Sequence, residues 1–401
     1  MKTVPLLLIL FLALASLAPD ARAVQTDALK QAVTDSTVKL NLRYRYEYVD
    51  QDGVDDEAGA STLRARLSWS SASVGKWQAG AEADYVALLG AERYNSTVNG
   101  ETQYPVVADP EGFDLNQAFL KYTDDNLTAT FGRQRNLQTD QRFVGGVGWR
   151  QNEQTYDAAR AEFKLNDALS IDYSYVWNVN RIFGPDGGVQ PSDWRSDSHF
   201  LLAEFALADE HKLEGFAYLL DFENDNGIPN STATYGVSYR GKLGPLKLTG
   251  TYATQSDYAD SLLDYDADYF GISAATTFDP VTISVGYELL GSDDGVAAFR
   301  TPLATLHKWQ GWADKFLGTP ADGIEDIYVG IAGAIGPVKL AATYHDYRAD
   351  EGSADYGDEL NVVANFVIAN GISGQLKLAD YNAEEFATDT TKIWFSLIVS
   401  L

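Results

Sequence analysis

Along most of this chain apolar and polar residues alternate with a period of two. Val38, Leu40, Leu42, Tyr44, Tyr46 and Tyr48 share one parity; Lys39, Asn41, Arg43, Arg45 and Glu47 take the other. Successive side chains of a strand point to opposite faces, so such a segment has one apolar and one polar side. Helical periodicity is nearly absent. The alternation predicts strands at 37–48, 61–71, 76–90, 113–123, 126–133, 156–165, 168–180, 197–207 and 211–222. It continues at 231–242, 245–255, 264–277, 280–290, 325–335, 337–347, 358–368, 371–382 and 389–401. That makes about 18 strands, with 16 as the alternative count.

The connections carry a second pattern. Those after odd-numbered strands are long and rich in Asp, Gly and Asn, such as 49–60, 91–112, 134–155 and 291–324. Those after even-numbered strands are short, such as Asp124-Asp125, Leu243-Gly244 and Gly336. Long–short alternation is what a membrane barrel with short periplasmic turns and long extracellular loops requires, whereas a soluble sandwich gives no reason for it. The most apolar stretch after the N-terminus, 327–342, is broken by Gly330, Gly333, Gly336 and Pro337 and carries Lys339, so it reads as two strands around a turn. A chain without spanning helices crosses a bilayer only as a closed barrel. The expected fold is therefore all-β: a transmembrane, antiparallel, up-and-down β-barrel over residues 37–401. Its final strand alternates to the end through Ile393, Phe395, Leu397, Val399 and Leu401, resembling the C-terminal signal recognised by barrel-assembly machinery. That signal usually ends in Phe, and Leu401 departs from it.

The first residues change the picture of where the barrel resides. Lys2, an apolar run from Leu6 to Leu17 and the small residues around Ala21-Arg22-Ala23 read as a secretory signal over 1–23. Residues 24–36 are then a short periplasmic lead-in. Losing Lys2, Asp20 and Arg22 leaves 28 basic against 56 acidic residues, a formal charge of −28. Nucleic acid is excluded as a partner on that balance. The expected location is the outer membrane of a Gram-negative cell, in contact with its lipids and lipopolysaccharide. The 23 Tyr, 18 Phe and 8 Trp include many near predicted strand ends, as Trp69, Trp77, Tyr122, Tyr239 and Tyr381. These positions suit the aromatic girdles of a barrel.

Candidate chemistry is sparse. The chain has no cysteine, so thiolate catalysis and cysteine metal sites are excluded. A barrel lipid hydrolase would need a Ser–His pair near the outer interface, for which Ser198–His199 and Thr343 with His345 are weak candidates. No enzyme activity, cofactor or metal is expected. Acidic loop clusters, Asp50, Asp52, Asp55, Asp56 and Glu57 among them, lack the spacing of a calcium loop and read as solvated. Basic residues on the polar parity are the informative set: Arg43, Arg45, Arg64, Arg66, Lys121, Arg160 and Arg240, with Lys164, Lys247, Lys339 and Lys377. Charge on the lipid face costs about 2–4 kcal/mol near the midplane, so these are expected to face the lumen. An inward arginine track would filter anions or sugar acids, because the guanidinium fork matches a carboxylate. Inward acids such as Glu47, Glu162, Glu204 and Glu288 are possible partners, and a balanced wet lumen is the alternative reading.

Two segments resemble the alginate export family of outer-membrane proteins. One runs from Phe131-Gly132-Arg133-Gln134-Arg135 through Asp140-Gln141-Arg142-Phe143 and Trp149-Arg150-Gln151 to Thr155-Tyr156-Asp157-Ala158. The other, His307-Lys308-Trp309-Gln310-Gly311-Trp312-Ala313-Asp314-Lys315-Phe316, is similar to a subgroup carrying the family label. The resemblance implies an 18-stranded barrel and an arginine-lined path for an anionic polysaccharide. On the matching positions it adds Arg133, Arg135, Arg142, Arg150 and Arg160 to the pore-lining candidates. Arg133 shares the outward parity of Leu127, Ala129 and Phe131, so it needs a bulge to face inward or else stands beyond the hydrocarbon. Leu306, Trp309, Ala313 and Phe316 have roughly helical spacing, which predicts a short helix at the pore mouth presenting His307, Lys308, Trp309, Trp312 and Lys315. The function expected is a passive channel for small hydrophilic solutes, with anionic saccharides as the candidate class. The alternatives are a dedicated exporter of an anionic polysaccharide such as alginate and a non-conducting structural or adhesive barrel.

Overall fold

A computed structural model describes residues 19–401, with side chains from residue 27 onward. Most of the expected secretory segment lies outside the described residues. The expected lead-in, 24–36, is largely helical: α1 spans Pro19–Thr34, and the carbonyl of Ala32 accepts from the N–H of Ala72 at 3.0 Å.

The period-two alternation becomes strands β1 (Thr37–Gln51), β2 (Ala58–Ser70), β3 (Trp77–Leu88), β4 (Gly112–Thr123), β5 (Leu127–Gln134) and β6 (Thr155–Lys164). Next come β7 (Leu169–Asn180), β8 (Asp193–Ala208), β9 (His211–Leu220), β10 (Thr232–Leu243), β11 (Leu246–Asp257), β12 (Asp266–Phe278) and β13 (Val281–Leu290). The two-residue strands β14 (Ser292–Asp293) and β15 (Ala297–Ala298) pair within a loop, away from the barrel. The wall resumes with β16 (Ile324–Ile335), β17 (Val338–Arg348), β18 (Asp355–Ala369), β19 (Ile372–Asn382) and β20 (Thr390–Ser400). Eighteen strands form one antiparallel sheet that closes on itself where β1 meets β20, with Tyr46 opposite Phe395. The count of 18 holds against 16. Closure leaves no sheet edge, which is the condition for a barrel in lipid.

The short links sit together at one end. Gly244-Pro245 and Gly336-Pro337 are two-residue turns whose glycines have φ of +60° and +58°. A first turn residue in that region matches the strand twist and favours Gly. The long links sit at the other end. Outside, an apolar belt includes Leu67, Phe131, Val237, Ile272, Ile331 and Leu376, all exposed. Trp77 packs on Tyr122 near the turn end with ring centroids 5.1 Å apart.

The inner face departs from the expected polar lining. In the loop-side half it carries Tyr156, Phe200, Phe216, Tyr218 and Tyr269, all buried. The segment 135–154, expected as an external loop, and the segment 291–323, expected to carry a short helix over or into the pore mouth, both fold inside and fill this half; we term them the first and second inner loops. Phe143 of the first sits 4.8 Å from Phe216 and 5.3 Å from Tyr269. Phe316 of the second sits 4.7 Å from Tyr347 and 5.2 Å from Phe386. Burying each phenyl ring stabilises the inward position by about 1.5–3 kcal/mol. The two loops also join each other. Gly145 N–H donates to Leu303 O at 2.8 Å, and Thr305 N–H donates to Gln141 O at 3.0 Å.

The predicted helix over 306–316 does not form. Only Leu306–Lys308 make a 3-10 turn, and Gly311, at φ +75°, breaks the helical run where the chain meets β18. A Cβ on Gly311 would lie 2.2 Å from a Glu359 carboxylate oxygen and 2.4 Å from Tyr347 Oη, so only glycine lets the backbone pass.

Candidate functional site

The register places the first basic residues as the parity predicts. Arg43 lies opposite Arg64, and Arg66 lies between Asn41 and Asp84, all on the inner face and buried. Their partners alter their meaning. Arg43 Nε donates to Gln151 Oε1 at 2.9 Å and Nη1 to Gly148 O at 3.0 Å, while Nη2 reaches Arg150 O. Arg45 donates to Trp149 O and lies 3.6 Å from Asp109. Arg66 makes a forked pair with Asp84, with Nε–Oδ1 at 2.7 Å, and also binds Glu153. Three of the four are thus occupied in holding the first inner loop against β1 and β2. Arg64 differs. Its one hydrogen bond runs from Nη2 to Asn41 Oδ1 of the wall at 2.7 Å; its buried Nε and Nη1, like those of Arg45, have no hydrogen-bond partner among the described residues, and unlike Arg45 it has no carboxylate within 4 Å.

The family-matched arginines belong to the same framework. Arg135 Nε donates to Glu153 at 2.6 Å, and Nη2 to Glu82. Burial alone would raise the Glu153 carboxyl, but the Arg66 and Arg135 guanidiniums hold it down to about 2. Arg150 Nη1 donates to Glu47 at 2.8 Å. Arg142 donates to Glu288 and, at 2.8 Å, to Thr301 Oγ1. Arg160 pairs with Asp172 at 2.6 Å, and Arg240 with Glu214 at 3.4 Å. Lys121 stands opposite Gln78 and Thr130, on the face that carries Arg160.

Arg133 does not line the lumen. No bulge interrupts the pairing of β5 with β4 or β6, so Arg133 keeps the outward parity of Phe131. It grips Asp157 with Nε–Oδ1 at 2.8 Å at the loop-side end of the strand. The Ser–His idea also fails: the His199 ring meets Tyr173 Oη at 2.8 Å on the outer face, whereas the next residue back, Ser198, is buried inward and accepts from Asp221 N–H at 2.9 Å. His345 instead faces Asp326 at 3.0 Å.

Of the expected mouth residues Lys308 is exposed and the other four are partly or fully buried. His307 is buried and stacks on Trp149 with centroids 3.4 Å apart. Lys308 pairs with Asp140 at 2.6 Å, and Trp309 lies over Arg142. Trp312 covers the Lys377 ammonium at 3.8 Å. Lys315 is half-buried near Thr388, and burial with the Lys392 charge lowers its ammonium to about 8. A cavity of about 410 Å³ remains beside the joined loops, lined by Arg135, Leu137, Trp149, His307, Trp312 and Lys377 among others. A smaller one of about 140 Å³ is lined by Ser238, Arg240, Thr251, Ser273 and Tyr328 among others. Among the described residues no group of three or more His, Cys, Asp or Glu is placed to hold a metal ion.

Sequence reasoning missed the acids that complete this framework: Glu82, Asp84, Asp109, Glu153, Asp314 and Glu359. Glu82 and Asp84 were readable, since they share the polar parity of β3. Glu359 accepts from the backbone N–H of Ala313 at 2.8 Å, a contact no spacing announces.

Comparison with known proteins adds the following. Residues 35–177 match a family model described as alginate export. OccAB4 of Acinetobacter baumannii superposes with a TM-score of 0.71 at 17% identity, covering 92% of this chain and 99% of that one. OccK3 (OpdO) of Pseudomonas aeruginosa gives 0.70 at 16% identity, covering 94% and 98%. No curated protein matches the chain. The protein is thus an 18-stranded barrel of the outer-membrane porin fold whose first six strands and most of the seventh, over residues 35–177, match the alginate export family model.

Proposed function

We propose that this protein is an outer-membrane channel for small hydrophilic anions, held narrow by two loops folded into its lumen. The observation that carries the reading is the state of Arg64. A buried guanidinium with two unfilled donors facing Arg43 favours an anion at that point of the inner wall, because an unpaired buried charge is costly. The barrel fold shared with porins and the cavity beside Arg135 and Lys377 support the same reading. An acidic sugar is the candidate solute from the family resemblance. The −28 charge of the chain without its first 23 residues gives no whole-protein attraction for anions, so the preference is local.

Planar-bilayer recording tests it. Under a salt gradient the wild type should show a reversal potential on the anion-selective side, and Arg64→Gln should move it toward zero. An unchanged potential in the variant would remove Arg64 from the filter. Absence of any open-channel current across voltage and pH would overturn the channel reading. That outcome would favour a non-conducting structural barrel, a reading which the packed joint between the inner loops supports.

A further inference from the structure

The joint between the two inner loops and the wall passes through one imidazole. His307 Nδ1 lies 2.7 Å from Asp314 Oδ1, so the ring's proton sits on Nδ1 and is donated to the carboxylate. Nε2 is then an acceptor, and the Lys377 ammonium of β19 donates to it. The ring face stacks on Trp149 of the first inner loop, and its edge meets Trp394 of β20 at 5.7 Å. Every element packed here adds charge. Asp314 also holds Lys392 of β20 at 2.7 Å and lies 3.7 Å from Arg150 of the first inner loop. Arg45 and Glu47 of β1 stand behind Trp149 and Arg150. Glu359 of β18 holds the backbone of Trp312 and Ala313, and Lys308 is turned away to Asp140.

With Lys377 carrying its proton, only a neutral ring fits. A second proton on His307 would have to sit on Nε2, where it would point at an ammonium rather than a lone pair. We infer that His307 is a proton-operated latch, whose protonation in mildly acid medium releases both inner loops from the β19–β20 wall and widens the lumen. Burial first, then the facing Lys377 charge, hold the imidazole well below its ordinary 6.5, against the pull of Asp314. The docked state therefore binds fewer protons than the released state below pH 6.5. Docking is full above that pH and weakens as pH falls through it. From pH 7.5 to 5.0 the released-to-docked ratio should rise by up to ~30-fold, the limit set by a free imidazole of ordinary pKa.

The widening rests on the channel reading, but the release does not, and the two are measured separately. The chain has no cysteine, so a single spin label at Leu317→Cys, an exposed position of the second inner loop, reports its mobility in vesicles. The full chain should show a mobile spectral component that grows from pH 7.5 to 5.0 and reverses on return. His307→Gln should abolish the pH dependence. Should that variant fail to insert, Lys377→Met serves, because removing the facing cation should shrink the pH response several-fold. A flat wild-type response, or an unchanged slope in either variant, overturns the latch. Release without a matching rise in conductance would leave the latch standing and count against the channel.

Discussion

Glu288 on β13 is one carboxylate that grips both inner loops, and its neutral isostere should free them. It accepts from Arg142 of the first loop, from Gln310 of the second and from Tyr269 Oη of β12. Glu288→Gln keeps the volume but removes the charge. Arg142, buried with a side chain 3% exposed, would keep Thr301 Oγ1 at 2.8 Å and the rings of Tyr269 and Trp309 at 5.3 and 5.4 Å. Those contacts exist before and after, so they cancel. Breaking one side of a buried ion pair costs about 3–5 kcal/mol. The amide oxygen still accepts a neutral hydrogen bond, worth about 0.5–1.5 kcal/mol, which leaves a net loss of about 2–4 kcal/mol. The released-to-docked ratio should rise ~30- to 1000-fold at neutral pH. Limited proteolysis of vesicle-inserted protein should then cut within 135–154 and 291–323, while the barrel stays intact because the ladders of β13 with β12 and β16 are untouched. The double variant Glu288→Leu with Arg142→Met should recover protection, since an apolar pair of similar volume often replaces a buried ion pair at little cost. Wild-type protection in Glu288→Gln alone would refute the claim that this pair docks the loops.

Two further outcomes test the same framework. The Glu153 carboxyl is held at about 2 against an ordinary 4.5, so its contribution to docking is complete above about 4.5 and is lost as pH falls toward 2. That contribution amounts to about 3 kcal/mol; Glu153→Gln should forfeit it at neutral pH and erase the release between pH 4.5 and 2, followed by the label at Leu317. Arg133→Ala should shift barrel stability by under about 1 kcal/mol, because its pair with Asp157 is partly solvated, and should leave the reversal potential unchanged. A changed reversal potential would return Arg133 to the lumen.

Strand parity made most of the fold legible. Alternation along β1 and β2 told which face Arg43, Arg45, Arg64 and Arg66 occupy, because a one-residue slip would put every one of them in lipid. For Arg133 parity leaves two options, a bulge or a place beyond the hydrocarbon; the family resemblance keeps it among the pore-lining candidates, and the unbroken pairing of β5 takes it out of them. The path of the long loops was not legible in this way. Phe143 and Phe316 sit in segments dense in Gly, Asp and Arg, and nothing local says whether such a loop extends into water or turns inward. What pulls them in is the aromatic inner surface of Phe216, Tyr218, Tyr269 and Tyr347. These residues come from strands far along the chain, and their inward parity was legible only as a departure from a polar lumen. The helical spacing of Leu306, Trp309 and Phe316 misled for a related reason: the rings of Trp309 and Phe316 are fixed by different partners, one on the other loop and one on the wall, and the backbone follows those partners instead of a helix.

The inward turn of the loops has an electrostatic side as well. An arginine on a barrel wall facing open water needs no partner; one facing a packed loop does. The first inner loop supplies both signs, presenting Glu153 and backbone carbonyls to the wall arginines of β1 and β2, and Arg142 and Arg150 to the wall acids Glu288 and Glu47. Each satisfied pair therefore serves docking, and its charge is cancelled for a passing ion. On the channel reading proposed above, selectivity would fall to the cations that the loops leave over: Arg64, with two buried donors unfilled and no carboxylate within 4 Å, and Lys377, whose ammonium meets an imidazole and the rings of Trp149, Trp312 and Trp394. Removing a paired arginine should accordingly change how often the lumen is open, and removing an unpaired cation should change which ion passes. The count of arginines on the wall predicts neither; their partners predict both.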